Sequence, residues 1–140
     1  MLTSSLAAEM VSAAVATAAQ LGAVVSVAVV DAGGHLVHFQ RMDRAEIAGP
    51  TLAVDKAFTA VAHRCTTASL GPLAGPDGRL AGLAANGSGR YVVFGGGLPC
   101  WQGDPDIDGV VVAGIGVSGG TVEQDVACAE AGHGVFEANR

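Results

Sequence analysis

Apolar residues return along the chain with two different periods. Over residues 5–20, Leu6, Met10, Val11, Ala14, Val15 and Ala18 recur every three or four positions. That spacing predicts an amphipathic helix with an alanine-rich seam. Residues 23–30, Ala-Val-Val-Ser-Val-Ala-Val-Val, are an almost unbroken β-branched run, the pattern of a strand buried on both faces. Asp31-Ala32-Gly33-Gly34 reads as a hairpin turn, with residues 35–42 as the partner strand. Gly49-Pro50 opens a second helix with proline at its first position. This helix is expected to run to about Ser69, with Ala53, Ala57, Ala60 and Val61 as its apolar stripe.

Residues 70–89 are a Gly- and Pro-rich connection, and connections of that length in small domains are often functional. Residues 90–94 read as a short strand, followed by Gly95-Gly96-Gly97. Residues 109–117 read as another buried strand. Thr121 with Gln124 three positions on is a capping-box pattern, and the last helix is expected to reach about Phe136. The order α-β-β-α-(loop)-β-β-α, with hairpin-joined strands, predicts an α+β fold built on an antiparallel sheet.

Length and composition sharpen this reading. A chain of 140 residues suits a single domain over residues 1–140. Hydrophobic residues make up 50% and charged ones only 14%, so a sizeable core is expected. The apolar surplus suggests cover by neighbouring subunits, hence a homo-oligomer. The net charge is −6, no Lys/Arg cluster occurs, and aromatics are 4%. Those values argue against nucleic acid as a partner. The N-terminal apolar segment has no positive n-region and is interrupted by Glu9, so it is not expected to be a signal peptide, and no stretch suits a membrane span. Cys65, Cys100 and Cys128 are odd in number and widely spaced, which favours a reduced, cytoplasmic setting over a disulfide framework.

Several residues invite chemistry. Gly114-Ile115-Gly116-Val117-Ser118-Gly119 matches a dinucleotide fingerprint, but the residues after it hold a helix and no second parallel strand. Close strand-to-helix packing is the plainer reading. A weaker one has the amides of 118–120 holding an anionic group. Asp104-Pro105-Asp106-Ile107-Asp108-Gly109 imitates a calcium loop, but Ile115 stands where the closing carboxylate belongs, so an acidic hairpin turn is expected. No residue set has metal-ligand spacing. Lys56 sits on the apolar stripe of its helix, two turns from His63. It either snorkels to water or lines a pocket, where an ammonium pairs with a carboxylate or has its pKa lowered. His35 and His38, three apart on a strand, are expected on opposite faces. His133 is expected to favour a helix dipole. Cys100 is a nucleophile only if a base is near, and no sequence feature places one there. Trp101, the single tryptophan, is a candidate wall for a flat ligand.

Five segments in order carry a resemblance: Val27 to Leu36 (VAVVDAGGHL), Phe39 to Asp43 (FQRMD), Lys56 to Ala60 (KAFTA), Gly95 to Pro99 (GGGLP), and Gly114 to Gly120 (GIGVSGG) running on to Gln124-Asp125. Together they resemble the GlcG/HbpS family, also met as the C-terminal domain of some PduO cobalamin adenosyltransferases. The resemblance implies a profilin-like α/β sandwich with an antiparallel sheet of about five strands flanked by helices. It also implies a homo-oligomer, dimer to octamer, and haem or a related tetrapyrrole as ligand, with haem degradation or redox sensing as roles found among relatives. His35, His38 and His63 are then the candidate axial ligands, with Lys56 or Arg41 for a propionate and Trp101 beside them. The segment 99–108, with Cys100 and Trp101, departs from the family pattern.

Three readings follow. The first is a haem- or tetrapyrrole-binding module. The second is a cofactor-free isomerase, hydratase or lyase acting on a small organic acid. In that reading Lys56, Arg41 and Arg90 orient carboxylates, and Asp31, His35 or His63 move protons. The third is an oligomeric accessory protein without chemistry. The expected pocket lies near Lys56, the 31–35 turn and the 95–101 loop.

Overall fold

The computed structural model describes all 140 residues. Its elements follow the expected order: helix α1 (Ser4–Leu21), strands β1 (Ser26–Asp31) and β2 (Leu36–Arg41), helices α2 (Ala48–His63) and α3 (Thr67–Ala74), strands β3 (Gly97–Gln102) and β4 (Val110–Ser118), and helix α4 (Val122–Ala138). Two single turns of 3-10 helix, Leu83–Ala85 and Gly87–Gly89, lie in the long connection. The fold is α+β, as the alternation of periods predicts. The four strands form one antiparallel sheet in the order β2-β1-β4-β3.

Strand alternation divides the sheet into two unlike faces. Val25, Val27 and Val29 lie in one core cluster with Ala113, Ile115 and Val117 of β4. Met10, Val11 and Ala14 of α1 join them, with Cys128, Ala129 and Phe136 of α4. The intervening β4 residues, Gly114 and Gly116, face α2. A Cβ on Gly116 would stand 2.0 Å from the carbonyl oxygen of Ala53, and one on Gly114 would stand 2.6 Å from that of Ala57. The glycines of the fingerprint-like motif therefore let a helix backbone lie against a strand, as the plainer reading holds.

Three expectations are corrected. The second helix stops at His63, because Arg64 takes a left-handed φ of 52° and its amide caps the Ala60 and Val61 carbonyls. Thr66 then caps α3 by accepting from the Ser69 amide. Residues 90–94 form no strand. The Val92 amide donates to Thr59 Oγ1 at 3.0 Å, and Arg90 Nε donates to Asp55 Oδ1 at 3.0 Å, so α2 captures this segment before it reaches the sheet. The third strand begins at Gly97, three residues past the end of the expected one. The sheet consequently has four strands rather than about five. Pro99 is tolerated in β3 because β3 is an edge strand. The acidic segment 104–109 is a turn between β3 and β4, closed by Asp106 N donating to Asp104 Oδ1 and Asp104 N donating to Asp108 Oδ1. The capping box at Thr121 and Gln124 forms as expected.

Candidate functional site

The residues singled out in the sequence fall into separate places. The first is the β1–β2 turn. Asp31 Oδ1 accepts from the amides of Gly33 (2.9 Å) and His35 (3.0 Å), and the ring Nδ1 of His35 stands 3.2 Å away. The His35 amide holds the Asp31 carboxyl below its usual range; burial opposes it, and the Gly33 amide and the His35 ring add to the lowering. An ionised carboxylate can only accept. In a neutral ring this contact favours the tautomer with the proton on Nδ1 and Nε2 unprotonated, on a side chain that is 81% exposed. His35 lies in the turn rather than in β2, so strand alternation does not set its direction.

The second place is the interior. Lys56 is the chain's single lysine, and it neither snorkels nor lines a groove: its side chain is 0% exposed. Its Nζ donates to Val117 O at 2.8 Å and Asp125 Oδ2 at 3.2 Å, and lies 5.0 Å from the centre of the Phe94 ring. Asp125 Oδ1 accepts from the Gly120 amide at 2.9 Å. Burial pushes the Lys56 ammonium below its usual pKa, opposed by Asp125 and, more distantly, Glu46. This ion pair ties α2, the end of β4 and the start of α4 to one another. The Gly120 amide serves Asp125 and the Thr121 amide serves Gln124 Oε1, so the N-terminus of α4 is occupied by its own side chains rather than offered to an anion.

The third place is the outer side of α2. Arg90 pairs with Asp55 and lies over the Phe58 ring, with its guanidinium carbon 3.7 Å from the ring centre. Tyr91 stacks on Phe58 at 6.3 Å and meets the His63 ring edge-on at 4.9 Å. Beside this group runs an open groove of about 390 Å³ between β2 and α2. It is lined by Leu36, Phe39, Pro50, Thr51, Val54 and Asp55. A β-bulge between Val29 and Val30 puts both Leu36 and Phe39 on the α2 side. His38 takes the other face of β2, half-buried.

The remaining candidates are dispersed. Arg41 is exposed at the end of β2 and its Nη2 donates to Ala45 O. Trp101 is half-buried in β3, where its carbonyl accepts from Arg140 Nη1 at 3.2 Å, and it lines neither groove of the molecule. His133 does not merely sit at a helix end; its Nε2 is 3.1 Å from Pro99 O and 3.6 Å from Glu137, linking α4 to β3. Lys56, Arg41 and Arg90 thus point at three different partners and do not converge. Asp55 lies outside every motif of the sequence, and Phe58 and Asp125 fall only within the family-resembling segments, with no role of their own there. The one available signal for Asp125 was that a lysine on an apolar stripe needs a carboxylate somewhere. No three His, Cys, Asp or Glu side chains gather as a metal site. No helix is long and apolar enough to cross a membrane.

The cysteines are free. Burial pushes the Cys100 thiol up to about 12 and the Cys128 thiol up to about 11. Only the thiolate is nucleophilic, so both are expected to be inert at neutral pH. A disulfide-reagent titration of the native protein should count one fast thiol, the half-buried Cys65, and three thiols after denaturation. Fast modification of Cys100 in the folded protein would contradict that burial.

A family model described as haem degrading protein HbpS-like matches residues 2–133. The corrinoid adenosyltransferase PduO of Salmonella typhimurium is 41% identical over 118 residues, covering 84% of this chain and 34% of that protein. The chain therefore spans about a third of that relative's length. The structure of Klebsiella pneumoniae protein ORFY matches with a TM-score of 0.91 and 33% identity, covering 98% of this chain and 91% of that one. A PduOC:heme complex matches with a TM-score of 0.87 and 36% identity, covering 96% and 94%.

Proposed function

Because the chain belongs to the HbpS-like family, we propose that it binds haem, with His35 as the axial ligand and the β2–α2 groove sheltering the macrocycle. The observation that carries this reading is the Asp31–His35 pair. A ligating histidine characteristically gives its other ring N–H to a carboxylate, which fixes the tautomer and raises its basicity. His35 has that arrangement with Nε2 free. Leu36, the next residue, lines a groove whose walls are Phe39, Pro50 and Val54, surfaces suited to a flat apolar ring. Arg90, above Phe58 and paired with the groove residue Asp55, is the cation we assign to a propionate. The existence of a haem complex of a relative 36% identical to this chain supports the same ligand class. Bound haem would supply redox and O₂ chemistry; this chain's residues would bind and orient it.

The test is a haemin titration of apo-protein followed at the Soret band. Wild type, His38→Ala and His63→Ala are expected to saturate at one haemin per chain, and His35→Ala to lose the shift. An unchanged titration in His35→Ala would remove this ligand assignment. The role beyond binding is read in the same sample: a Soret band that bleaches with ascorbate and air speaks for haem degradation, and a stable one for a carrier or sensor.

The organic-acid enzyme reading gains no support from Lys56, whose donors are already engaged in the interior. A homo-oligomer remains part of the proposal. Ile47, Ile107 and Val110 are 94%, 83% and 61% exposed, more apolar side chain than a lone subunit needs at its surface. Light scattering on the purified chain is expected to give a mass at least twice that of the monomer.

A further inference from the structure

The sheet has two edge strands, β3 and β2, and the chain covers only one of them. Val117 N donates to Gly96 O, so in β3 the alternate residues Gly97, Pro99 and Trp101 turn their backbone groups away from β4. Gly97 N donates to Thr67 Oγ1 at 2.9 Å, and Pro99 has no N–H to offer. Pro99 O stands 3.1 Å from His133 Nε2, and Trp101 O accepts from Arg140 Nη1 at 3.2 Å. Side chains of α3, α4 and the C-terminus thus occupy that edge.

The β2 edge has no such cover. Met42 N donates to Val25 O at 3.0 Å. Gln40 and His38 turn inward in step with Met42, which leaves the backbone groups of Phe39 and Arg41 facing out. No turn, loop or side-chain hydrogen bond reaches the backbone of either residue. Proline, lysine and carboxylates, which commonly keep a free edge unpaired, are absent from β2. Its bulge lies towards the β1–β2 turn, and the pairing from His38 to Arg41 is regular. We propose that this edge pairs with a second copy of the same chain, antiparallel about a two-fold axis at Gln40, joining the two sheets into one.

The register follows from the edge itself. Centred on Gln40, the pairing sets Phe39 of each copy opposite Arg41 of the other, so the residues with outward N–H and C=O groups bond to one another. Centred on Phe39, it would set Arg41 opposite Val37, which the bulge leaves without a partner even on β1.

The side chains fit a copy of themselves. Directly opposed residues of an antiparallel pair share a face. Phe39 and Arg41 both lie on the α2 side of β2, so each guanidinium meets the other copy's ring as a cation on a π face. Stacking needs none of the guanidinium donors, so the bond from Arg41 Nη2 to Ala45 O persists. The two Gln40 amides meet on the opposite side, each able to donate and accept. Every contact occurs twice, as two-fold symmetry requires. Residues 32–42 hold no carboxylate, so two chains of net −6 meet where neither is negative. Phe39 also lines the β2–α2 groove, and each groove gains a cation from the other copy beside that ring.

This inference deepens the homo-oligomer part of the proposed function, and the experiment tells the two apart. Light scattering on the full-length protein reads the mass, and hydrogen exchange resolved by residue reads the interface. Wild type is expected to have the mass of two chains or a multiple of two. Its Phe39 and Arg41 amides, which have no acceptor within the chain, are expected to exchange about a hundredfold or more slower than free peptide amides. Arg41→Pro removes one outward N–H and no bond of the ladder to β1. It is expected to keep the circular dichroism of wild type, to halve the mass and to free the Phe39 amide. Arg41→Lys keeps both the N–H and the cation and should retain the wild-type mass. An oligomer whose Phe39 and Arg41 amides exchange freely keeps the oligomer and overturns this interface, a result that needs no variant. A monomeric wild type removes both. A folded Arg41→Pro of undiminished mass also overturns the interface.

Discussion

Asp125→Ala is expected to lower the stability of this protein by about 3–5 kcal/mol, the range for stripping one partner from a buried ion pair. Lys56 is fully buried and Asp125 is 3% exposed. Removing the carboxylate leaves the ammonium with the Val117 carbonyl and the Phe94 ring alone, and it also orphans the Gly120 amide. Domains of this size hold only about 5–15 kcal/mol in total, so the loss is a large fraction of the whole. In urea, with a slope of about 2 kcal/mol per molar, the midpoint should fall by about 2 M. Charge, rather than packing, is the stated cause, and a double variant isolates it. Lys56→Met with Asp125→Asn removes the ammonium and keeps an oxygen for the Gly120 amide. It should recover at least half of the loss, because neutral groups need no counter-charge in the interior. A midpoint for Asp125→Ala within about 0.5 M of wild type would mean that water reaches Nζ, and the clamp between α2, β4 and α4 would have to be abandoned.

That pair also shows where sequence reasoning stops. The position of Lys56 on an apolar stripe was legible, because a helical period is a local property of the chain. Its partner lies 69 residues away, and no local pattern connects them. The same division runs through the fold. The helix of residues 5–20, the β-branched strand, the hairpin turn and the capping box were legible from patterns of two to four residues, and the structure has them. The end of α2 was not, because its left-handed cap is Arg64 rather than glycine or asparagine, so the usual stop signal is missing. The strand expected at 90–94 had suitable residues but lost them to α2, whose Thr59 and Asp55 take its hydrogen bonds. In the candidate site, the Asp31–His35 spacing was visible in the sequence. The groove beside it was not, since Leu36 and Phe39 share a face only through the bulge in β1–β2 pairing. A one-residue slip reverses which side chains meet the helix.

Gly116→Ala is expected to destabilise the fold by about 3 kcal/mol or more, although it adds a single methyl group. The added carbon would stand 2.0 Å from the Ala53 carbonyl oxygen and 2.6 Å from the Ala57 amide nitrogen. Both are backbone atoms in the middle of α2, so no side-chain rotation relieves the overlap and the helix must move off the sheet. Movement of α2 is felt on all sides. The helix carries Lys56 into the interior, Phe58 under Arg90, and Val54 into the groove beside His35. Loss of stability in Gly116→Ala should therefore be accompanied by weaker haemin binding even below the unfolding transition. Gly134→Ala supplies the matched control, since it is the same chemical change in α4, where a Cβ meets nothing within 4 Å. There the methyl group restricts the unfolded chain and suits the helix, so a gain of about 0.4–1 kcal/mol is expected. The two variants should move the urea midpoint in opposite directions. If Gly116→Ala instead behaved like Gly134→Ala, α2 would not rest on β4 as closely as the structure has it, and the glycines of the 114–119 motif would need a reason other than backbone contact.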